Sequence, residues 1–393
     1  MKEVSPRRVE QQIRNFQKAL RAYAAKEPLA RFLTAFFKEN RQMGASDRRM
    51  TTRFCYNYFR LGKALPGATE SERLLIAEFL CETDSDLVRL YKPEWALLMV
   101  ASLSEKLDFL AGENVKVDTD IFPFSSHLSQ GIDSLRFSTS HLIQPDLFIR
   151  VNSTGRSVVL QELDRAGIVY EDLGNGSLRL SNGSKLQEVR SIHGLYEVQD
   201  LSSQQSLDVA IVNGGEEWWD ACAASGGKSL LLIDRRPDIR LLVSDIRLSI
   251  LRNLDERFEK SKVKIPYQKK VLDLSQDVSH LMAGRQFDGI VLDAPCSGSG
   301  TWGRTPEMIQ QFQVGKIREY AQLQRKIASN VLPYLKPNGQ LIYITCSVFS
   351  EENEGMLSFL EKEHGLQVEQ TNLFTGYEYK ADSMFAARLR KKV

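Results

Sequence analysis

From about residue 6 to residue 112, apolar positions recur at steps of three and four. VEQQIRNFQKALRAYAA sets Val9, Ile13, Phe16, Leu20 and Tyr23 on one face, the spacing of an amphipathic helix. LARFLTAFFKEN, RRMTTRFCYNYFRLG, SERLLIAEFLCE and EWALLMVASLSEKLDFL repeat it, with Gly and Pro mainly between the stripes. The pattern predicts an all-helical domain over residues 1–122. Between 123 and 209 the runs shorten. LFIRVNS and VRSIHGLYEVQDL read as strands, RSVVLQELDRAG as a helix and the NGS tripeptides as turns, which predicts a small α+β domain. From 210 to 393 the short apolar runs EWWDAC, RLLVSD, FDGIVLDAP and GQLIYITCS alternate with the helical stretches GGKSLLLIDRR, IRLSILRNLDERF and IREYAQLQRKIASNVLPYL. Such alternation implies right-handed crossovers and an α/β fold with a doubly wound, mostly parallel sheet. The ligand site of that architecture lies at the C-terminal ends of its strands.

With 393 residues, 42% hydrophobic and 26% charged, the composition is that of a globular chain of two or three domains. It excludes collagen-like, low-complexity and wholly disordered chains. The N-terminal MKEVSPRRVEQQIRNFQ has no apolar signal-peptide core, and no run approaches the roughly 18–20 apolar residues of a membrane span. Five cysteines, an odd number, argue against a disulfide framework and for a reducing, cytoplasmic setting. The net charge of +2 hides an asymmetry. Residues 1–63 carry fifteen Lys/Arg against five acids, a net of +10, whereas residues 64–120 carry five against twelve, a net of −7. The basic segment suggests an anion-facing surface with nucleic acid as the usual partner. A solvated helical surface is the alternative.

Three constellations carry candidate chemistry, all at strand ends. DACAASGGKS, residues 220–229, is a strand-to-helix turn whose small residues admit a ligand to the backbone and whose helix start favours negative charge. Asp245 follows Lys228 by seventeen residues and closes the run RLLVSD, where an acid accepts from both hydroxyls of a ribose. Together they point to an adenosine-containing cofactor, although two-glycine turns also serve purely structural ends. FDGIVLDAPCSGSG places Asp293 and Cys296 in a loop expected to be loosened by Gly298 and Gly300, and LIYITCS places Cys346 just beyond another strand. The two cysteines could meet over one pocket. Neither sits in a CxxC pair and His is scarce, so no metal site is expected. An inert buried thiol is the reading for Cys55 and Cys81, but it suits Cys296, in a polar Gly-rich loop, poorly.

DAPCSGSG, TCSVFSEENE and the CAASGGK turn resemble the Sun/RsmB family of S-adenosylmethionine-dependent RNA (cytosine-5) methyltransferases. GASDRRMTTRFCYNYFR is similar to the signature helix of that family's NusB-like domain, LFIRVNS and YEVQDLSSQ to its small ferredoxin-like RNA-binding domain, and SMFAARLRKK to the strand that closes its catalytic sheet. The resemblance covers nearly the whole chain. It implies a helical NusB-like domain over 1–122, a ferredoxin-like domain over 123–209 and a Rossmann-like methyltransferase domain over 210–393. It also implies roles. Cys346, in the TC motif, is the nucleophile that adds to carbon 6 of cytosine, and the pocket should favour its thiolate. Cys296, in the PC motif, assists release. Asp293 holds the N3/N4 edge of the base, and Lys228 is expected to help lower the pKa of Cys346. The cofactor falls to Cys222, Ala223, Ala224, Ser225, Gly226, Gly227 and Lys228, with Asp245 on the ribose, Asp273 near the adenine and Asp293 at the methionine end. One departure stands out. The family turn reads CAAPGGK, and Ser225 takes the proline position, which predicts a looser turn because proline pre-sets a backbone dihedral.

The implied partner is RNA, most readily 16S ribosomal RNA, with transfer RNA open and the cytosine unpaired or extruded. A monomer is expected. Arg304 and the basic helices are candidate backbone contacts, and Trp302 either stacks on a base or packs. A non-catalytic RNA-binding assembly factor would not need both Cys296 and Cys346. A nicotinamide-dependent oxidoreductase would share the ribose acid, but residues 220–229 lack GxGxxG.

Overall fold

The structure is a computed structural model that describes residues 4–115, 117 and 121–392. The chain divides into two compact units. One comprises Met1–Ser126, Asp133–Gln144 and Trp302–Gln313, and the other His127–Ile132, Pro145–Thr301 and Val314–Val393. No described helix is long and apolar enough to cross a membrane.

The first unit is helical, with its longest helices at Pro6–Ala22, Leu29–Glu39, Ala45–Arg60, Glu70–Cys81 and Leu103–Gly112. The stripe EWALLMVASLSEKLDFL is not one helix. Pro93–Leu98 forms a tight 3-10 turn, and Ser102 then starts a new helix through a reciprocal capping box with Glu105, which satisfies two N-terminal amides at once. The basic segment is not all surface. Arg60 is buried and donates to the carbonyls of His141, Ile143 and Gly303 at 2.9, 3.2 and 3.0 Å. Arg53 reaches buried Glu78 at 2.6 Å, while Arg7, Arg8, Lys38, Arg41 and Arg49 stay exposed. The stretch Trp302–Gln313 completes this unit. Leu29 N–H donates to buried Glu307 at 3.0 Å and Gln311 to the Tyr23 hydroxyl at 3.1 Å. Trp302, 1% exposed, packs among Phe122, Phe124 and Phe312. Packing, not base stacking, is its role here.

The second unit holds two sheets. The smaller is antiparallel with order β2-β3-β1-β4, where β1 is Leu147–Val151, β2 Tyr170–Gly174, β3 Ser177–Leu180 and β4 Tyr196–Val198. The helix Arg156–Arg165 packs Val159 and Leu163 on it. The larger has order β10-β11-β9-β8-β5-β6-β7. Its strands are β5 (Glu217–Asp220), β6 (Arg240–Asp245), β7 (Tyr267–Val271), β8 (Phe287–Asp293), β9 (Leu335–Thr345), β10 (Leu366–Phe374) and β11 (Met384–Lys391). Strands β5 to β9 pair in parallel, and β11 and β10 add two antiparallel pairings. The mostly parallel Rossmann-like architecture is therefore present. Trp219, Leu242, Ile290 and Tyr343 face one apolar core, and Trp218, Val243, Val291 and Ile344 face the other. Burial on both sides explains why these strands read as continuous apolar runs.

Four strands escaped the hydrophobic pattern. The β2–β3 hairpin turns on Asn175 and Gly176, both at positive φ, an Asn-Gly signal for a two-residue turn. β7 and β10 lie at the sheet edges with alternating exposure. Conversely VRSIHGLYEVQDL is only in part a strand, since Arg190–Ile192 is a 3-10 turn.

The register supplies a stability test. Trp218 on β5 is the Cα partner of Gly289 on β8, and a Cβ built on Gly289 would lie 2.5 Å from the Trp218 ring. Gly289→Ala should cost about 1–3 kcal/mol by overpacking, read by urea denaturation. A variant as stable as the parent would contradict this packing.

Candidate functional site

The turn after β5 is built by backbone geometry. Ala224 and Gly226 have φ of +44° and +84°, and Gly226 N–H closes the turn on the Ala223 carbonyl at 2.8 Å. Ala223 N–H donates to Ser244 O at 2.8 Å, which ties the turn to β6. A Cβ on Gly226 would meet Phe258 at 2.8 Å and Leu254 at 2.9 Å, so glycine is required there by φ and by packing alike. The helix Gly227–Arg235 starts directly behind it.

Asp245 ends β6 beside this turn and is 7% exposed. Its carboxylate accepts from Ala224 N–H at 3.2 Å and from Arg247 N–H at 2.9 Å and Nε at 3.1 Å. A diol arriving here meets an oriented acceptor that shares its oxygens with Arg247, a residue sequence reasoning missed. Asp273 lies two residues beyond β7, the neighbour of β6. Its carboxylate accepts from Ser275 N–H at 3.0 Å and Oγ at 2.6 Å, so it shapes its own turn.

Lys228 Nζ stands 2.9 Å from Asp293, at the end of β8, and 3.0 Å from Ser203 Oγ. Burial pulls the Lys228 ammonium down, but Asp293 and then Cys346 outweigh it, and the group is held above the ordinary lysine range. Below them Asp220 closes β5, fully buried. Ser229 Oγ donates to its Oδ2 at 2.6 Å, whereas Oδ1 is buried without a hydrogen-bond partner. Burial raises Asp220 to about 7, and Asp293 adds to the shift. A buried, unpartnered carboxylate oxygen among further acids suits a ligand that brings positive charge. Acids for a cation, Asp245 for a diol and an open turn fit an adenosine-bearing cationic cofactor. Asp220 was legible as the first residue of DACAASGGKS, but only its burial reveals the free oxygen.

The two cysteines meet: Cys296 Sγ and Cys346 Sγ are 3.4 Å apart. Each is followed by a serine that serves the same acceptor. Ser297 donates to buried Glu352 from N–H at 2.9 Å and from Oγ at 2.5 Å, Ser347 Oγ donates to it as well, and Gln324 adds a bond at 3.0 Å. The contact with Cys346, burial and the nearby Glu352 carboxylate together push the Cys296 thiol well above its ordinary range. Glu352 lay in the motif TCSVFSEENE, yet no spacing rule linked it to both loops. Burial pushes Cys55 and Cys81 up to about 12, and it also raises Cys222. Among the described residues, no group of three or more His, Cys, Asp or Glu is arranged to hold a metal ion.

Two expectations need correction. Gly298 and Gly300 do not leave the Cys296 loop loose. Gly300 N–H donates to Cys346 O and its carbonyl accepts from Ser383 N–H, both at 2.9 Å, and a Cβ there would sit 2.0 Å from Ser383 O. This glycine permits close approach of two backbone segments, not motion. Nor is the Ser225 turn unsupported, because Arg257 donates to Ser225 Oγ at 3.2 Å.

Asp220 sets a pH dependence. Its folded value of about 7 exceeds the ordinary 3.8, so the folded protein binds the extra proton. The stabilisation is complete below about pH 4 and is lost as pH rises through about 7. Asp220→Asn lacks this titration. Its stability relative to the parent should therefore rise between pH 5 and pH 8 in thermal melts, and a constant difference would contradict the assignment.

Residues 209–390 match the family described as 16S rRNA methyltransferase RsmB/F. Ribosomal RNA small subunit methyltransferase B of Proteus mirabilis is 30% identical over 255 residues, 63% of this chain and 60% of its own length. Its namesake from Shewanella oneidensis is 33% identical over 219 residues, 55% and 50% of the two chains. The chain thus spans about three fifths or less of these relatives. The crystal structure of PH0851 superposes with a TM-score of 0.72 at 21% identity, covering 97% of this chain and 98% of that one. NSun6 from Pyrococcus horikoshii with SFG gives 0.58 at 18% identity, covering 66% and 95%. These two likenesses speak for the fold. The motifs and the family match agree, and over residues 209–390 the chain is similar to the Sun/RsmB family, RsmB/F.

Proposed function

We propose that this chain is an S-adenosylmethionine-dependent RNA (cytosine-5) methyltransferase acting on 16S ribosomal RNA. The observation that carries the reading is the 3.4 Å approach of Cys296 and Cys346 at the ends of neighbouring parallel strands. The family match and the names of the curated relatives support the substrate class.

Carbon 5 of cytosine is a poor nucleophile until carbon 6 is saturated. The Cys346 thiol gives its proton to the Asp293 carboxylate and its sulfur adds to carbon 6. Asp293, 2.9 Å from the Lys228 ammonium, takes the N3/N4 edge of the base and passes that proton to N3, which neutralises the charge put on the ring and leaves an enamine electron pair on carbon 5. S-adenosylmethionine, held by Cys222 to Lys228 with Asp245 at the ribose, Asp273 towards the adenine and Asp293 at the methionine end, supplies an electrophilic methyl group. The carbon 5 proton then leaves to a base, the carbon–sulfur bond breaks and the double bond returns. Cys296 assists that release. Its contact with Cys346, its burial and Glu352 favour its protonated form. The cytosine must be unpaired or turned out of its stack to reach the thiols.

Two mutational outcomes test this reading. Asp245→Ala removes a charged acceptor, worth about 1.5–3 kcal/mol, so calorimetry should show S-adenosylmethionine binding weakened by roughly ten- to a hundredfold. Unchanged affinity in the folded variant would refute the ribose assignment. Cys346→Ala should abolish both methylation and any covalent complex. Cys296→Ala should instead accumulate a protein–RNA band that survives denaturing electrophoresis and vanishes on nuclease digestion. The opposite behaviour would exchange the two roles, and full methylation by both variants would eliminate covalent catalysis.

A further inference from the structure

One face of the helix Leu248–Lys260 forms the wall behind the cofactor turn. Leu254 and Phe258 leave less than 3 Å for a Cβ on Gly226. Arg257, between them on the same face, donates from its guanidinium to Ser225 Oγ at 3.2 Å. The other edge of that guanidinium is fixed, since Arg257 Nε donates to Glu197 at 2.7 Å on β4. Ser261, the residue that follows the helix, donates to the second oxygen of Glu197. Ion pair and hydroxyl are partly shielded, with Arg257 and Glu197 side chains only 21% and 12% exposed. The turn residue is therefore gripped through its side chain by a guanidinium that is itself anchored on the small sheet.

We propose that Arg257 is a positioning residue that fixes the Cys222–Lys228 turn for the cofactor by holding the Ser225 hydroxyl, with Glu197 as its anchor. The inference rests on the cofactor reading above. Its physical content is a trade. A side-chain hydrogen bond restrains Ser225, whose backbone lies between two positive-φ residues, where a proline ring would restrain the same residue covalently through φ. Arg257 lies outside the motifs, Glu197 lies in YEVQDLSSQ with no role read for it, and they are 32 and 28 residues from Ser225 in sequence. They are identified by the fold alone.

The test compares Arg257→Ala, Ser225→Ala, Ser225→Pro and the double variants in the full chain. Hydrogen exchange of peptides spanning the turn reads its order without ligand, and calorimetry with S-adenosylmethionine reads binding. Arg257→Ala and Ser225→Ala should each speed exchange in the turn and weaken binding by roughly three- to tenfold, less than the loss of a hydrogen bond made to the cofactor itself because Arg257 acts through the turn. Combining them should cost no more than either alone, because they remove one interaction. Ser225→Pro introduced into Arg257→Ala should restore slow exchange and binding to within about twofold of the parent. Unaltered exchange in Arg257→Ala, multiplicative losses, or no rescue by proline would each overturn the proposal. If the unaltered protein fails to bind S-adenosylmethionine, the cofactor reading falls, while exchange still decides whether Arg257 orders the turn.

Discussion

The two cysteine loops depend on one buried carboxylate. Glu352 is fully buried and collects donors from Ser297, Ser347 and Gln324. Taking a carboxylate out of water is costly unless its oxygens are satisfied, so the loops must come to it. Because Ser297 and Ser347 each adjoin a cysteine, satisfying Glu352 also fixes where the two thiols sit. Tyr343 adds a bond from its hydroxyl to the Glu352 carbonyl at 2.7 Å, and Asn353 joins Thr345 to Ser347. Cys296 and Cys346 thus stand on the rim of a closed polar network, not on free loop ends.

A second economy concerns charge. Asp220, Asp245 and Asp293 converge at the ends of β5, β6 and β8, with Lys228 paired to Asp293 and Arg247 to Asp245. Three acids against two cations favour a further positive charge beside them. Desolvation is the largest effect on Asp220 and Lys228 alike, but with opposite outcomes: the acid is driven towards neutrality, while Asp293 keeps the lysine charged. The difference is the presence of a close, opposite partner.

Much of this was readable in the chain. The buried parallel strands are apolar on both faces, so EWWDAC, RLLVSD, FDGIVLDAP and GQLIYITCS stood out, and every candidate site residue except Asp245 and Asp273 fell in a motif dense enough to recognise. Edge strands β7 and β10, half exposed, carry no such signal. The β2–β3 hairpin did carry one in Asn175-Gly176. What the sequence could not disclose were partners far along the chain: Arg247 and Arg257 on a helix and its approach, Glu197 on a different sheet, and the donors that converge on Glu352. Composition also overstated the basic surface, since Arg53 and Arg60 are spent inside the helical unit. The correction at Gly300 has the same origin, because a glycine that admits a neighbouring carbonyl looks in sequence like one that loosens a loop.

The membership of Trp302–Gln313 in the helical unit has a consequence for biosynthesis. Leu29 N–H, Tyr23 and the aromatic cluster around Phe122 and Phe124 find their partners in a stretch that follows β8. A polypeptide emerging from the ribosome delivers its N-terminal helices first, yet that layer stays incomplete until residue 313 has been translated. The unit at the front of the chain is therefore among the last to be finished, and the nascent protein must shelter its unfilled apolar seam throughout the synthesis of both β1–β4 and β5–β8.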